Sequence, residues 1–264
     1  MAERARLPWG VDSHTPTDTR LYDYALGGKD NYAVDRVLAH RVLSVAPEAR
    51  YLAAENNRFA RRAVRHLLAA GVRQFLDIGC GLPRRGNVHD LAGPGSRVAY
   101  VDYDPVAVTH YEAMLSGGSS AAVIHADARH PAQILRDPIV SEMIDFDRPV
   151  ALLFTLVLHF VDDEEDPAGI VGEFRDAVAP GSHLVVSHAT FEGKTPAAVE
   201  AVYGVFAELR ESVTLRGREA IAGLFDGFEL LDPGLVPAPD WRPDRPYRTP
   251  SGWLLAGVGR KPIA

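Results

Sequence analysis

Three aspartates, Asp77, Asp102 and Asp127, each close an apolar run that reads as a β-strand: "RQFLDIG", "RVAYVDYD" and "AAVIHAD". A carboxylate so placed stands at the carboxyl end of a strand, where open α/β sheets bind their ligands. Asp102 lies 23 residues after Gly79, about where an acid grips a ribose diol. A carboxylate can accept two hydroxyl protons at once, and few other side chains can. Asp127 can accept a hydrogen bond from an adenine amino group, with the backbone of Ala128 serving the ring nitrogens. Any one of the three could equally cap the helix that follows it. The signal is the set, in order, on successive strands.

The first of these acids opens "LDIGCGLP". Gly79 and Gly81 allow a tight turn and a close backbone approach to a ligand. A dinucleotide fingerprint needs a third glycine three residues after the second, and that position is Arg84. Asp77 would repel a pyrophosphate, whereas it suits a cationic amino group, directly or through water. Together these features turn the reading from a nicotinamide cofactor towards S-adenosylmethionine. After the fourth apolar run, "PVALLFTLVLH", comes His159. Imidazole titrates near neutrality, so His159 is the candidate general base; its other reading is a polar residue lining the pocket or capping the next helix. His188, at the end of "SHLVVSHAT", is a weaker candidate on the same rim. Cys80, between the two glycines, reads as a small side chain in a tight turn. Methyl transfer from a sulfonium needs no covalent enzyme intermediate. No His-x-x-x-His or paired-acid spacing on one helix face appears, so no metal is expected.

A second stretch, "YDYALGGKDNYAVDR" at 22–36, carries three tyrosines and an unusual lysine, for Lys occurs only at 29, 194 and 261. It reads as a lid over the ligand, the alternative being a surface loop leading into a helix capped by Asp30 or Asn31. As a lid, Gly27 and Gly28 bring the backbone close to the cofactor, and Tyr22 and Tyr24 wall its methionine end. Lys29 meets its carboxylate or the acceptor, with Arg58 competing for that carboxylate. The candidate cofactor-binding set is Tyr22, Gly28, Lys29, Asn31, Arg58, Asp77, Gly79, Gly81, Asp102, Tyr103, Asp127, Ala128 and Thr155. The run "RPDRPYR" at 242–248 is basic and aromatic, either a solvated loop or a border of the acceptor pocket.

These residues need a scaffold, and the patterning supplies one. Residues 1–20 are polar and read as a loose arm. From Asn31, apolar residues recur at helical steps (Val34, Val37, Leu38, Val42, Val45), and Pro47 restarts a helix. Phe59, Ala63, Val64, Leu67 and Leu68 give this second helix one apolar face, and Gly71 ends it. Five strands then alternate with helical patterns such as "PVAVTHYEAML" and "DPAGIVGEFRDAVAPG", which implies a parallel sheet covered on both faces. After a helix near 196–210, "FELLD" and "GWLLAGVGR" form a terminal antiparallel pair, joined by a loop too rich in proline for a helix. The expected organisation is an N-terminal arm and helical lid over 1–47 and a cofactor-binding domain over 48–264.

The chain has 264 residues and a net charge of −7, which argues against a non-specific nucleic-acid binder. Its single cysteine excludes an intrachain disulfide. The first twenty residues lack the apolar core of a signal peptide, and the longest apolar run, at 149–161, is too short to span a bilayer. A soluble, cytoplasmic protein with no membrane partner is expected.

The strings "RLYDYALGGKDNYAVDR", "ENNRFARRAVRHL", "FLDIGCGLP", "NVHDLA" and "VAYVDYDPV" resemble the class I S-adenosylmethionine-dependent methyltransferases. More closely, they resemble an actinobacterial family once described as a domain of unknown function and now called S-adenosyl methyltransferases. The resemblance covers most of residues 15–264. It implies a Rossmann-like α/β fold with a seven-stranded, mostly parallel sheet of order 3-2-1-4-5-7-6, the seventh strand antiparallel. It also implies S-adenosyl-L-methionine as cofactor, held at Asp77, Gly79, Gly81, Asp102 and Asp127. It supplies no methyl acceptor. The acidic charge and helical cover favour a small molecule over nucleic acid, and a cofactor-binding regulator without turnover is the alternative.

Overall fold

The computed structural model describes residues 12–118, 120–207, 212–245 and 250–263. Its sheet is built from β1 (Gln74–Ile78), β2 (Arg97–Asp102), β3 (Ala121–His125), β4 (Ala151–Thr155), β5 (His183–Ala189), β6 (Glu229–Leu230), β7 (Val236–Pro237) and β8 (Leu254–Arg260). The order is β3-β2-β1-β4-β5-β8-β6, with β1 to β5 parallel and β8 antiparallel to β5. This is the expected 3-2-1-4-5-7-6 order, with β8 in the place of the seventh strand. One addition interrupts the proline-rich connection: β7 pairs with β8 at Val236↔Ala256 and Pro237↔Leu255. A proline fits there because a short strand at the margin of a sheet can spare an N–H. "FELLD" contributes only two ladder residues, since Pro233 follows with no N–H to extend the pairing.

Ten helices are described: α1 (Asp18–Ala25), α2 (Ala33–Val45), α3 (Leu52–Ala69), α4 (Val88–Ala92), α5 (Pro105–Leu115), α6 (Pro131–Leu135), α7 (Pro138–Met143), α8 (Pro167–Ala177), α9 (Pro196–Phe206) and α10 (Arg218–Gly223). Strand residues alternate between two apolar layers, as a period-two side-chain pattern requires. On one face Leu76, Ile78, Leu152 and Phe154 pack with Ile170, Val171 and Phe174 of α8. On the other, Phe75, Leu153 and Val185 pack with Phe59, Ala63, Val64 and Leu67 of α3, the stripe its sequence spacing predicts. Arg62, on the same helix, donates to the carbonyls of Trp241 (2.8 Å) and Ala238 (2.7 Å) and so pins the proline-rich connection. Gly71, at φ +93°, ends α3 as expected.

Part of the expected loose arm, residues 1–11, lies outside the described residues. Its end is helical: α1 starts at Asp18 because the Thr17 side chain caps it, accepting from the Arg20 N–H at 3.4 Å. A buried ion pair then locks α1 to α2. Arg20 Nε lies 2.9 Å from Asp35 Oδ2, and both side chains are essentially inaccessible. The Asp35 carboxylate also accepts the N–H groups of Thr17 (3.1 Å) and Tyr32 (2.7 Å), while the guanidinium lies 4.8 Å from the Tyr32 ring centroid. Removing one partner of such a pair strands the other's charge, at a typical cost of ~3–5 kcal/mol. Arg20→Ala is therefore expected to raise amide hydrogen exchange across 17–45 while β1 to β5 stay protected; uniform loss of protection would instead make the pair part of the global core.

Candidate cofactor and active site

The carboxyl ends of β1 to β4 open into one cavity of about 460 Å³. Asp77, at the end of the fully buried β1, lines it at 8% exposure. Its Oδ1 is enclosed and has no hydrogen-bond partner. Burial pushes the Asp77 carboxyl up to about 7, partly offset by the Arg84 guanidinium. The chain then turns sharply. Gly79 has φ +68°, and its Cβ, were there one, would run into the Val157 side chain. Gly81 has φ +66° and donates its N–H to Asp102 Oδ2 at 2.7 Å. The glycine loop is thus tied to β2 through the second acid. Cys80 is buried in this turn, and burial, with the Asp102 and Asp77 carboxylates nearby, holds its thiol well above the usual range. It is inert as a nucleophile.

Asp102 also accepts from the Asp104 N–H through Oδ1 at 2.9 Å. Burial lifts its carboxyl to about 7 even against these two backbone bonds. Asp127 differs. It accepts from the Arg129 N–H at 2.9 Å and pairs with the Arg129 guanidinium at 2.7–3.0 Å. Burial alone would raise it, but these bonds hold it below the usual carboxylate range. Ala128, Tyr103 and Thr155 line the cavity with these acids.

His159 also lines the cavity, on a 3-10 turn (Leu158–Phe160) after β4. It is 6% exposed, and its Nδ1 is buried without a partner. Burial, with His188 and Arg216 alongside, holds its pKa well below 6.5, so the ring is neutral at pH 7. His188 lies behind it, with ring centroids 5.9 Å apart, and does not line the cavity. His188 Nδ1 lies 2.7 Å from the Ala189 carbonyl, and Nε2 lies 2.9 Å from Arg216 Nη1. Those contacts require Nδ1–H to donate and Nε2 to accept, the neutral tautomer.

The N-terminal helices roof the cavity. Tyr22 and Tyr24 of α1 line it. The Tyr22 hydroxyl donates to the Ala53 carbonyl (3.0 Å) and accepts from Asn56 Nδ2 (3.0 Å). Asn56 Oδ1 in turn accepts from Ser187 at the end of β5, at 2.5 Å. Tyr103 Oη donates to Asp18 at 2.8 Å, holding α1 over the end of β2.

Gly28, Lys29, Asn31 and Arg58 are not brought to the cavity wall. The "GGKDN" turn folds back on Asp23, whose Oδ2 accepts from the Asp30 N–H (3.0 Å) and Asn31 Nδ2 (2.8 Å). A Cβ on Gly28 would collide with that same carboxylate, so the glycine serves the turn. Lys29 is exposed on this turn, and Arg58 is exposed on α3. A cation on the wall beside Asp77 is instead Arg84, which stacks 4.7 Å from the Tyr22 ring centroid and reaches the Cys80 carbonyl at 3.4 Å. The clue to it in the sequence is its place: it stands where a dinucleotide site would need its third glycine. Of "RPDRPYR", residues 246–248 lie outside the described residues; Arg242 donates to the Asp232 carbonyl and does not line the cavity. Among the described residues, no group of three His, Cys, Asp or Glu could hold a metal ion, and no helix is long and apolar enough to cross a membrane.

A mostly parallel sheet of order 3-2-1-4-5-7-6, with acids closing its first three strands around one cavity, defines a class I methyltransferase fold. The S-adenosyl methyltransferase family model matches residues 4–262, and the chain belongs to that family. S-adenosylmethionine is accordingly its cofactor. The chain is similar to a putative methyltransferase from Thermobifida fusca YX, with 40% identity, TM-score 0.91 and coverage of 97% of this chain and 98% of that one. It is similar also to a DUF574 family protein from Streptomyces avermitilis MA-4680, with 35% identity, TM-score 0.90 and coverage of 95% and 99%. An O-methyltransferase family protein from Burkholderia thailandensis shares the fold alone, at 14% identity and TM-score 0.53 over 81% of this chain and 58% of that one. No curated protein matches the chain.

The raised Asp77 pKa has two consequences of opposite sign. Without ligand, the folded state disfavours the carboxylate, so Asp77 costs stability above pH 7 and the cost fades as pH falls towards 4. On the expectation that Asp77 receives a cationic ligand group, affinity weakens as pH falls below 7. Asp77→Asn is therefore expected to raise the Tm of the free protein at pH 8. It should also weaken S-adenosylhomocysteine binding ~10–100-fold, the worth of a hydrogen bond to a charged group. Calorimetry from pH 5.5 to 8 checks this: wild-type affinity should drop by up to about tenfold per pH unit per carboxylate below 7, and the variant should lose one share.

Proposed function

We propose that this protein transfers the methyl group of S-adenosylmethionine, in line, to a small-molecule acceptor. The observation that supports this best is the buried Asp77 carboxyl on the cavity wall, raised to about 7 by burial, with Arg84 beside it. An α-amino acid end carries one cation and one anion, and this wall offers one carboxylate and one guanidinium. The residues present therefore fit the cofactor. Asp77 would take its amino group, Arg84 its carboxylate and Asp102 its ribose hydroxyls. Asp127 and the Ala128 backbone would take its adenine, and the positive-φ turn at Gly79 and Gly81 would let the backbone lie close. Once bound, its sulfonium supplies a methyl group already activated for displacement.

The protein's own tasks are to align and to exclude water. The Tyr22–Asn56–Ser187 chain fixes the roof against β5, and the Asp18–Tyr103 bond fixes it against β2. His159 is the proposed base where the nucleophile is a protonated hydroxyl, because its neutral ring has a lone pair free at pH 7. A regulator without turnover would have its acceptor space closed, whereas this cavity continues past Thr155 to Val202 and Trp253.

Calorimetry should show binding of both S-adenosylmethionine and S-adenosylhomocysteine; no binding of either at millimolar concentration would sink the proposal. Purified protein given labelled cofactor and a cell metabolite extract should label a small molecule. With that acceptor, His159→Gln should keep cofactor affinity and lower kcat ~10²-fold or more, the usual contribution of a general base. The low His159 pKa places the acid limb of kcat well below pH 6.5, while kcat/KM for the cofactor should begin to fall near pH 7, where Asp77 protonates.

A further inference from the structure

The cavity is divided by chemistry. The four carboxylates that line it, Asp18, Asp77, Asp102 and Asp127, all stand at or over the ends of β1 to β3. The remainder runs along α2 and α9, which pack together, by way of Val42, Leu43, Val202 and Phe206. Leu215 and Trp253 line it as well, and both belong, with Val202, to an apolar cluster separate from the two layers that flank the sheet.

Polar edges in this half are already engaged. The Trp253 indole N–H donates to Glu48 Oε1 at 2.9 Å, and Lys194 Nζ reaches the same oxygen at 3.4 Å. Neither Glu48 nor Lys194 lines the cavity, so Trp253 offers it carbon. Tyr24 Oη is paired with His40 Nε2 at 2.9 Å. Arg50 lines the cavity but is exposed, its guanidinium 4.8 Å from the Tyr51 ring centroid. A charged molecule entering here would give up its hydration with no buried partner to replace it, whereas an apolar one gains by every area it covers.

We infer that this half is the acceptor chamber and that the methyl acceptor is an uncharged, largely apolar small molecule. The inference rests on the methyl-transfer reading, and the test separates the two. The probes are N-phenyl-1-naphthylamine and 1-anilinonaphthalene-8-sulfonate, which share one ring skeleton and differ by a sulfonate. Each is titrated by fluorescence into the full-length protein saturated with S-adenosylhomocysteine, so that the carboxylate-lined half is filled. The uncharged probe should bind at least tenfold tighter than the sulfonate. Leu43→Trp and Phe206→Trp, on facing helices and only half-buried, should each weaken it at least tenfold in samples that still give the heat of S-adenosylhomocysteine binding. Equal or tighter binding of the sulfonate, no binding of the uncharged probe, or binding that neither variant weakens would overturn the inference alone. No heat from S-adenosylhomocysteine would overturn the methyl-transfer reading and this inference with it.

Discussion

A carboxylate without a partner, buried at the end of the central strand, is the constraint around which this molecule is arranged. β1 is buried along its whole length between β2 and β4, and Asp77 is open only to the cavity at the strand ends. Its Oδ1 finds no donor, and the carboxyl is raised to about 7 by that enclosure. Such a group lowers stability and persists only where surrounding structure over-determines it. The surroundings do so here: five parallel strands hold the backbone, and the glycine turn that follows is stitched to β2 by the Gly81–Asp102 bond. On the proposed cofactor binding, the ligand's own cation offsets the charge of this carboxylate, so function and instability meet in one side chain.

A dry carboxylate also needs a roof, and the roof has its own internal logic. Two short helices could not stay folded by propensity alone, since α1 has only eight residues. They are held by charge instead. Arg20 and Asp35 face each other out of water, and Asp35 is further saturated by two backbone N–H groups. The polar chain from Tyr22 through Asn56 to Ser187 then fixes the roof's height above the strand ends. Glu55, one residue away on α3, performs a parallel service below. Its carboxylate accepts the Ser251 N–H (2.7 Å) and hydroxyl (2.5 Å), tying α3 to the segment that enters β8. One helix thus couples the roof to the sheet on both sides.

The scaffold was legible in the sequence because its signals are periodic. Alternating strands and helices, the apolar stripe of α3 and the acids closing three strands all follow from spacing. The rest depends on contacts that spacing does not carry. α1 was hidden because its only mark is a single capping threonine inside a polar segment. β7 was hidden because two residues cannot establish a period and one of them is a proline. The "GGKDN" turn illustrates the deeper limit. A glycine pair beside a lysine resembles a ligand loop, yet the group that needs Gly28 to lack a side chain is Asp23, five residues earlier. The same local pattern serves a turn or a ligand, and only the fold decides. Arg84 is the converse: it counts in the sequence as a missing glycine, and in the structure as the cation beside the buried acid.

The two halves of the cavity come from different parts of the chain, and that separation has a chemical reason. The charged half is built mainly from strand ends, held in register by the ladder hydrogen bonds of a buried sheet, with Asp18 of α1 tied to β2 through Tyr103. Buried carboxylates demand such precision, because an acid displaced from its partner costs more than it contributes. The apolar half is built from α2, α9 and the segment around Leu215, where contacts are between carbon atoms and tolerate small shifts. On the acceptor-chamber proposal, a change of acceptor is met by resizing side chains of α2 or α9 while Asp77 and Asp102 stay in place. The neutral His159 lines the same cavity from the turn that follows β4.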